Sequence, residues 1–190
     1  MQTAVAPAEL KPHRFTIEDY LKMGEAGILT PEDRVELIDG EVVAMSPIGN
    51  WHIASIMRLT KMFADQLPDE LGLSPQGGLN IGRHTQLVPD IVVAHVENAW
   101  ETGIRGPDCV LVVEVAQSSL ESDRTRKKGI YASEGVPEYW IVDLEGRAVE
   151  VYREPVGETY RRRTVFGREA VVASEAVPGV SIPVGEVTPP

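Results

Sequence analysis

Acidic residues interrupt two strongly apolar segments of this chain. Asp90 follows Pro89 and opens the apolar run 91–94, and Glu114 lies inside the run 110–115. A carboxylate inside a buried strand is costly unless it is paired or binds a metal. Two such carboxylates on neighbouring strands therefore predict a divalent-cation site. With a lysine nearby, that site would suit the hydrolysis of a phosphodiester.

A lysine is available on the helix predicted after the second strand. Asp123, Lys127 and Tyr131 follow one another at intervals of four residues, which places them on one helix face. Lys128 lies about 100° further round the helix and competes for the same role. On helix pattern alone, Lys127 would read as a surface residue paired with Asp123. Its proximity to Glu114 favours the functional interpretation.

Glu36 is the fourth candidate, with Glu41 as its competitor. Alternation along a strand places Glu36 on the face opposite Val35 and Leu37, so Glu36 is not simply a core residue. The alternative for Glu36 is a position on the surface. For Asp90 and Glu114, the alternative is that both lie at exposed strand ends. His52 is expected to be a surface or hydrogen-bonded residue. The four histidines and one cysteine match no zinc spacing.

The composition indicates a single globular domain. The chain has 190 residues, of which 43% are hydrophobic and 25% charged. We expect a flexible N-terminal arm at residues 1–12 and one domain at 13–190. No apolar run is long enough to span a membrane, the N-terminus lacks a secretory pattern, and Cys109 has no partner for an internal disulfide. A cytoplasmic location is the expectation.

The charge pattern argues against a general nucleic-acid-binding surface. The chain carries 18 basic and 29 acidic residues, a formal net charge of −11. The segment 147–168 nevertheless holds six arginines against three glutamates. A solvated hairpin explains this segment best, and nucleic-acid contact is the alternative.

The pattern of elements predicts a mixed α/β (α+β) fold. Thr16 is expected to cap a short helix with Tyr20 and Leu21 facing inward, and Asp39-Gly40 to turn a hairpin over 34–46. Asn50 is expected to cap a helix to about residue 67. Strands near 78–83, 89–95 and 109–116 follow, then a helix over 122–133 and a strand at 138–143, which indicates a parallel crossover. The apolar stripe of the second helix is expected to contain Ile53, Ile56, Met57 and Phe63.

Together these segments resemble the PD-(D/E)XK restriction-endonuclease-like superfamily, and within it the Uma-two family of small bacterial endonucleases. The matching phrases are ELIDGE at 36–41, MSP at 45–47, His52, PDIVV at 89–93, VVEV at 112–115, DRTRK at 123–127 with Tyr131-Ala132, and GVPEYWIVD at 135–143. The superfamily lysine normally follows the glutamate by two positions, where this chain has Ala116. In this branch the lysine has moved to the next helix, which matches Lys127.

The resemblance implies a restriction-endonuclease-like core: a mixed central β-sheet flanked by helices, with added antiparallel hairpins. It implies a Mg²⁺-dependent (or Mn²⁺-dependent) endonuclease acting on nucleic acid, probable substrate DNA, with catalytic residues Glu36, Asp90, Glu114 and Lys127. Asp90, Glu114 and the Val115 carbonyl would hold the metal. Two alternatives stay open: a catalytically degenerate dimeric binding module, and a metal-dependent hydrolase of a smaller phosphoester.

A homodimer is the expected assembly. An enzyme that cuts both strands of a duplex from one small domain needs two active sites, and the closed two-fold dimer is the commonest arrangement. Trp51 and Trp100 lie outside the obvious core and are the candidate contacts.

Overall fold

A computed structural model describes residues 12–97 and 99–190, so the expected N-terminal arm lies almost entirely outside the described residues. The strands are β1 (Val35–Ile38), β2 (Glu41–Ala44), β3 (Leu71–Pro75), β4 (Leu79–Ile81), β5 (Thr85–Leu87), β6 (Ile91–His95), β7 (Ile104–Arg105), β8 (Cys109–Ala116), β9 (Glu138–Asp143), β10 (Ala148–Val156), β11 (Thr159–Gly167), β12 (Val171–Ala173) and β13 (Ser181–Pro183). The helices are α1 (Ile17–Glu25), α2 (Asn50–Ala64), α3 (Ala99–Thr102), α4 (Leu120–Ser122), α5 (Lys128–Ser133) and α6 (Val184–Val187). Within these described ranges, no helix is long and apolar enough to cross a membrane.

A six-stranded mixed sheet forms the centre of the molecule, in the order β11-β10-β9-β8-β6-β3. β8 and β9 run parallel, and the other neighbouring pairs run antiparallel. The connection from β8 to β9 is helical, because a π-helical turn, Asp123–Lys127, joins α4 directly to α5. The parallel crossover predicted from the sequence is therefore confirmed.

A second sheet, in the order β2-β1-β5-β4-β7, carries the predicted hairpin. Asp39 and Gly40 both have positive φ, 53° and 77°, as a two-residue hairpin turn requires. A Cβ on Gly40 would lie only 2.6 Å from the Cβ of Arg14, so a larger residue would displace the chain entering α1. This turn fixes the register of β1 and thereby the direction in which Glu36 points.

Apolar residues cover both faces of the central sheet. On one face, Ile56, Leu59 and Phe63 of α2 pack with the C-terminal segment that contains β12, β13 and α6. Ile53 and Met57, predicted to belong to this stripe, are 48% and 67% exposed. The prediction is confirmed for Ile56 and Phe63 and wrong for Ile53 and Met57; Met57 lies about 100° round the helix from Ile56, beyond the line of contact with the sheet.

On the other face, Tyr131 and Ala132 of α5 and side chains of the second sheet form a separate core. The rings of Tyr131, Tyr139, Tyr152 and Tyr160 lie within 4.9–6.3 Å of one another in successive pairs. This packing holds the helical crossover against the face of the central sheet.

The element bounds differ from the sequence expectation in several places. β3 was not predicted, and the strand expected at 78–83 is shorter, β4, with β5 following it as a hairpin. Gly49, not Asn50, is the N-cap of α2, and this helix ends at Ala64. Thr16 caps α1 as predicted, through a capping box with Asp19, but Leu21 is 50% exposed and not inward-facing.

Candidate active site

One cavity of about 120 Å³ receives side chains from both sheets, from the first turn of α2 and from the π-helical turn. All four predicted catalytic residues and the predicted metal-binding position Val115 line it: Glu36, Asp90, Glu114, Val115 and Lys127. The carboxylates and the lysine are buried, with residue exposures of 4% to 9%. The structural alternative, in which the two acids occupy exposed strand ends, is therefore wrong.

Asp90 is fixed at the entry to β6 by two contacts. Its Oδ2 accepts a hydrogen bond from the Val115 N–H at 2.8 Å, and its Oδ1 lies 2.9 Å from the His52 Nε2. The N–H and C=O of one strand residue point to the same strand edge. The Val115 carbonyl is therefore directed toward the edge on which Asp90 lies, as a shared metal site would require.

Glu114 and Lys127 form a buried ion pair. The Lys127 Nζ lies 3.0 Å from the Glu114 Oε1, and the Tyr131 hydroxyl donates to the same oxygen at 2.6 Å. Asp123, Lys127 and Tyr131 are all buried, so the helix face predicted from the four-residue spacing faces the site. The competitor Lys128 instead lies over the ring of Tyr152, 5.7 Å from its centroid.

Glu36 joins the same pair from the second sheet. Its Oε1 lies 3.3 Å from the Lys127 Nζ and accepts a hydrogen bond from the Val88 N–H at 2.7 Å. Glu41, the competing glutamate, is exposed on β2. The geometry thus places Glu36 and Lys127, rather than Glu41 and Lys128, in the cavity.

A fourth carboxylate, Asp123, lines this cavity and has a free oxygen. Its Oδ2 accepts from the Ser119 hydroxyl at 2.6 Å, whereas its Oδ1 is buried without a hydrogen-bond partner among the described residues. Asp123 is 1% exposed and begins the π-helical turn. Such turns are frequent at functional sites, and a buried unpaired oxygen is costly in a structure without a ligand for it.

Burial and the carboxylate neighbours control protonation here. Burial raises the pKa of Glu114 to about 8, with further upward contributions from Asp123, Asp90 and Glu36, while Lys127 opposes the shift. Burial alone would lower the pKa of Lys127, but Glu114, Glu36 and Asp123 outweigh it and raise the pKa. Lys127 therefore stays charged, and it is one ammonium among four carboxyl groups.

The described residues contain no group of three or more His, Cys, Asp or Glu side chains arranged to hold a metal. The donor set is two carboxylates and a carbonyl, with Asp90 and Glu114 already accepting hydrogen bonds. Mg²⁺ characteristically binds through one or two carboxylates and keeps several waters, so it does not need an all-protein cage. The free oxygen of Asp123 and the excess of negative charge also fit a hard cation.

Several residues contribute to the cavity in ways that the sequence did not indicate. His52 is hydrogen-bonded, as expected, but its partner is Asp90, which lies 38 positions away. Tyr131 was placed on the correct helix face without a role. Arg34, which also lines the cavity, had no sequence signal, because its position depends on the αL backbone that ends the 3-10 turn Pro31–Asp33.

The arginines of β10, β11 and the π-helical turn are largely occupied with acidic partners. Arg124 and Arg163 both bind Glu150, and Arg124 also lies 3.4 Å from Asp143. Arg126 lines the cavity and lies 3.8 Å from Asp39. The solvated hairpin expected for the arginine-rich segment is confirmed for β11, which is mostly exposed, but not for β10, whose residues 149–153 are buried.

A model of the Uma2 family, described as putative restriction endonuclease, matches residues 17–185. The chain belongs to the Uma2 family. The expected resemblance to the Uma-two family is thus confirmed, and family membership indicates a nuclease-type function. No curated protein matches the chain.

The chain is also similar to a solved structure, the crystal structure of a putative nuclease belonging to DUF820 from Anabaena variabilis ATCC 29413. The two share 17% sequence identity with a TM-score of 0.70, over 91% of this chain and 97% of that one. At this identity the likeness shows the fold, and it confirms the expected fold class of mixed sheets flanked by helices.

Proposed function

We propose that this Uma2 protein is a Mg²⁺-dependent endonuclease that hydrolyses phosphodiester bonds of DNA. The observation that carries the proposal is the buried cluster in one cavity. Glu36 and Glu114 lie 3.3 Å and 3.0 Å from Lys127, and Asp90 is held beside them by the Val115 N–H. Burying several charged groups together is energetically costly, and such clusters are typical of catalytic and binding sites.

Asp90, Glu114 and the Val115 carbonyl would hold the cation, and Mn²⁺ would serve as well as Mg²⁺. When bound, the cation supplies Lewis acidity, which polarises a phosphoryl oxygen and makes water a stronger acid. Burial keeps competing water away from the carboxylates and strengthens every charge interaction in the cavity. The free Oδ1 of Asp123 would accept a hydrogen bond from a water molecule entering the site.

Lys127 supplies fixed positive charge where negative charge develops on the phosphorus oxygens. Its ammonium has three donors, and Glu114 and Glu36 account for two directions. The third can point toward substrate. Glu114 and Glu36 are buried and rigid, so the Lys127 ammonium needs no reorganisation during the reaction. Preorganised charges of this kind make a large contribution to catalysis. Glu36 fixes the lysine and, through its second oxygen, positions water.

The proposed enzyme acts as a homodimer. Trp100 is 98% exposed and Trp51 is 50% exposed, so both remain available as contacts between copies. Two copies would supply the two active sites that cutting a duplex requires.

Cleavage of supercoiled plasmid and of single-stranded DNA, in Mg²⁺, Mn²⁺ or excess chelator, tests the proposal. We expect metal-dependent cleavage by the wild-type protein and by Glu41→Gln, and strongly reduced cleavage by Glu36→Gln. The two glutamates lie on paired strands of one hairpin, so Glu41→Gln is a matched control for the loss of a carboxylate. Equal activity of the two variants would contradict the assigned site.

The net charge of −11 favours a second candidate, a metal-dependent hydrolase of a smaller phosphoester. A small diester such as bis(p-nitrophenyl) phosphate distinguishes the two functions. Turnover of the small diester by a protein that leaves every nucleic acid intact would favour the second candidate.

A further inference from the structure

A second, larger cavity adjoins the candidate active site. It encloses about 550 Å³ between α1, the start of β1 and the loop after β2. Four residues line both cavities: Arg34, Met45, Ile48 and Val88. A ligand in the larger cavity would therefore contact these four side chains, which also line the carboxylate cavity.

The walls of this second cavity are mainly apolar, with one aromatic ring. Tyr20 and Leu21 come from α1, and Leu29 comes from the loop that follows it. The Tyr20 hydroxyl donates to the Val35 carbonyl at 2.9 Å, which fixes the ring against β1. Gln76 and Thr30 add polar side chains to the lining. Apolar walls with an aromatic ring and a few polar groups suit a nucleobase, which has apolar faces and polar edges.

Arg34 gives the two cavities a positive group at their junction. Its guanidinium has no ion pair or hydrogen bond with any described residue, unlike Arg124, Arg153 and Arg163, which are paired with acids. Planar guanidinium groups bind phosphate through two parallel hydrogen bonds. The junction is therefore suited to a phosphate.

The backbone at Arg34 supports a role for its side chain. Arg34 has φ 44° and ψ 71° and ends the 3-10 turn, a place where glycine is ordinarily preferred. An L-residue other than glycine is strained in this left-handed region. Gln76, which also lines the cavity, has φ 50° and is left-handed as well. Strain of this kind is concentrated at binding and catalytic sites.

We propose that this second cavity binds an unstacked nucleobase of a single-stranded nucleic acid, with the phosphate beside that base held by Arg34. The proposal rests on the proposed nuclease function and specifies its substrate. A base inside a duplex is stacked on both faces and must leave the stack before it can enter a side pocket. The cavity therefore favours single strands, and a duplex would have to release one base at each active site before it is cut. With few unpaired cations near the site, the strand must be held largely by the base.

An abasic scan of a short single strand tests this directly. Binding of a fluorescent pentanucleotide is measured in chelator, where no cleavage occurs, with one base removed at each position in turn. For wild-type protein, removal at one position should weaken binding about tenfold, the effect of losing one stacked base. Removal at the other positions should change binding much less, because those bases lie outside the cavity.

Variants then locate the effect in the cavity. Tyr20→Ala should abolish the difference between the intact and the abasic strand, whereas Tyr20→Phe, which keeps the ring, should retain it. Leu21→Glu provides a second variant that should fold, since Leu21 is 50% exposed. Ile28→Ala is the matched control, because Ile28 is 70% exposed beside the same wall but does not line the cavity. Arg34→Ala should weaken binding of every strand to a similar degree.

The outcomes separate this proposal from the proposed nuclease function. Three outcomes would overturn the base subsite without affecting the nuclease function. They are an abasic scan in which every position has the same effect, tighter binding of duplex than of single strand, and equal binding of a mononucleotide and the pentanucleotide. Absence of binding to any nucleic acid in chelator, together with absence of cleavage in Mg²⁺ or Mn²⁺, would overturn both. The proposal is supported by a single sensitive position that Tyr20→Ala and Leu21→Glu remove and that Tyr20→Phe and Ile28→Ala retain.

Discussion

At the scale of single residues, the site depends on one ammonium among four carboxyl groups. Lys127 contacts Glu114 and Glu36 directly, and Asp123 faces it from the start of the same turn. The four-residue spacing placed Asp123, Lys127 and Tyr131 on one helix face, and the position of that helix directly after the Glu114 strand favoured Lys127 as a site residue. The sequence could not place His52 or Val88 beside the carboxylates, since those contacts join positions 38 and 52 residues apart.

Replacement of the two adjacent lysines tests their different roles. Lys127→Ala should raise the activation barrier by roughly 2–4 kcal/mol, which is the effect of removing one preorganised charge donor. Lys128→Ala should have little effect, because Lys128 lies over the Tyr152 ring. The comparison is made from kcat/KM for cleavage, after circular dichroism has shown that both variants fold. A larger loss for Lys128→Ala would mean that the helix face is misassigned.

The raised pKa of Glu114 predicts how stability depends on pH without metal. Without metal, the folded protein keeps a proton on Glu114 up to about pH 8, whereas the unfolded chain releases it near the ordinary glutamate pKa of 4.5. The folded state therefore holds more protons between these values, and the free energy of unfolding should fall as pH rises from about 5 to about 8. Urea unfolding in chelator across this range measures the slope.

Glu114→Gln is the control for that slope, because glutamine keeps the shape of the side chain and does not titrate. Its free energy of unfolding should vary less with pH than that of wild type. Addition of Mg²⁺ should reduce the wild-type loss at high pH, since a cation favours the ionised carboxylate. A wild-type slope equal to that of Glu114→Gln would show that another group controls this pH range.

At the scale of elements, local signals predicted the hairpin at Asp39-Gly40, the cap at Thr16 and the β8–β9 crossover. Each of these is encoded within a short stretch of chain. β3 was missed because its sequence, LGLSP, has little strand propensity, and it forms by pairing with β6 at the sheet edge. The pairing of β1 with β5 was also missed, since it joins Leu37 to Gln86 across the chain.

A second buried ion pair stabilises the elements away from the site. Glu138 on β9 accepts from Arg153 on β10 and from the Ser174 hydroxyl, and it also accepts two N–H groups of the following loop. Arg153→Ala would leave the buried Glu138 carboxylate without its cationic partner and should lower the free energy of unfolding by about 3–5 kcal/mol. Chemical denaturation provides the measurement.

Arg162→Ala is the matched control for this prediction. Arg162 also forms an ion pair, with Glu175, but the Arg162 side chain is 43% exposed. Ion pairs on the surface contribute about 0–1 kcal/mol to stability. If both variants lose the same stability, burial is not what makes the Glu138 pair important.

At the scale of the whole molecule, the negative charge and the two adjoining cavities define how substrate can approach. Arg126 and Arg34 line the carboxylate cavity, while Arg124 and Arg163 are occupied by Glu150. Binding of a strand should therefore depend only weakly on salt, because few phosphates are neutralised. Composition could predict the net charge, but only the folded chain shows which arginines remain available.

The proposed homodimer leads to a prediction about Trp100. Trp100 is almost fully exposed, and its burial between copies would favour association. Multi-angle light scattering at micromolar concentration should report a dimer for wild type and a shift toward monomer for Trp100→Ser. Trp51→Ser tests the second candidate contact. A monomer at every concentration would remove the dimer and the cutting of both strands with it.

The most direct test of the central claim is the single-turnover rate at which an end-labelled single-stranded DNA is cleaved as Mg²⁺ is titrated. Asp90 is predicted to bind the cation, so Asp90→Asn should reduce the rate by at least about 100-fold at saturating Mg²⁺. The wild-type rate should rise with Mg²⁺ to a plateau, and chelator should abolish it. Cleavage by Asp90→Asn at the wild-type rate, or a wild-type rate independent of Mg²⁺, would contradict the account.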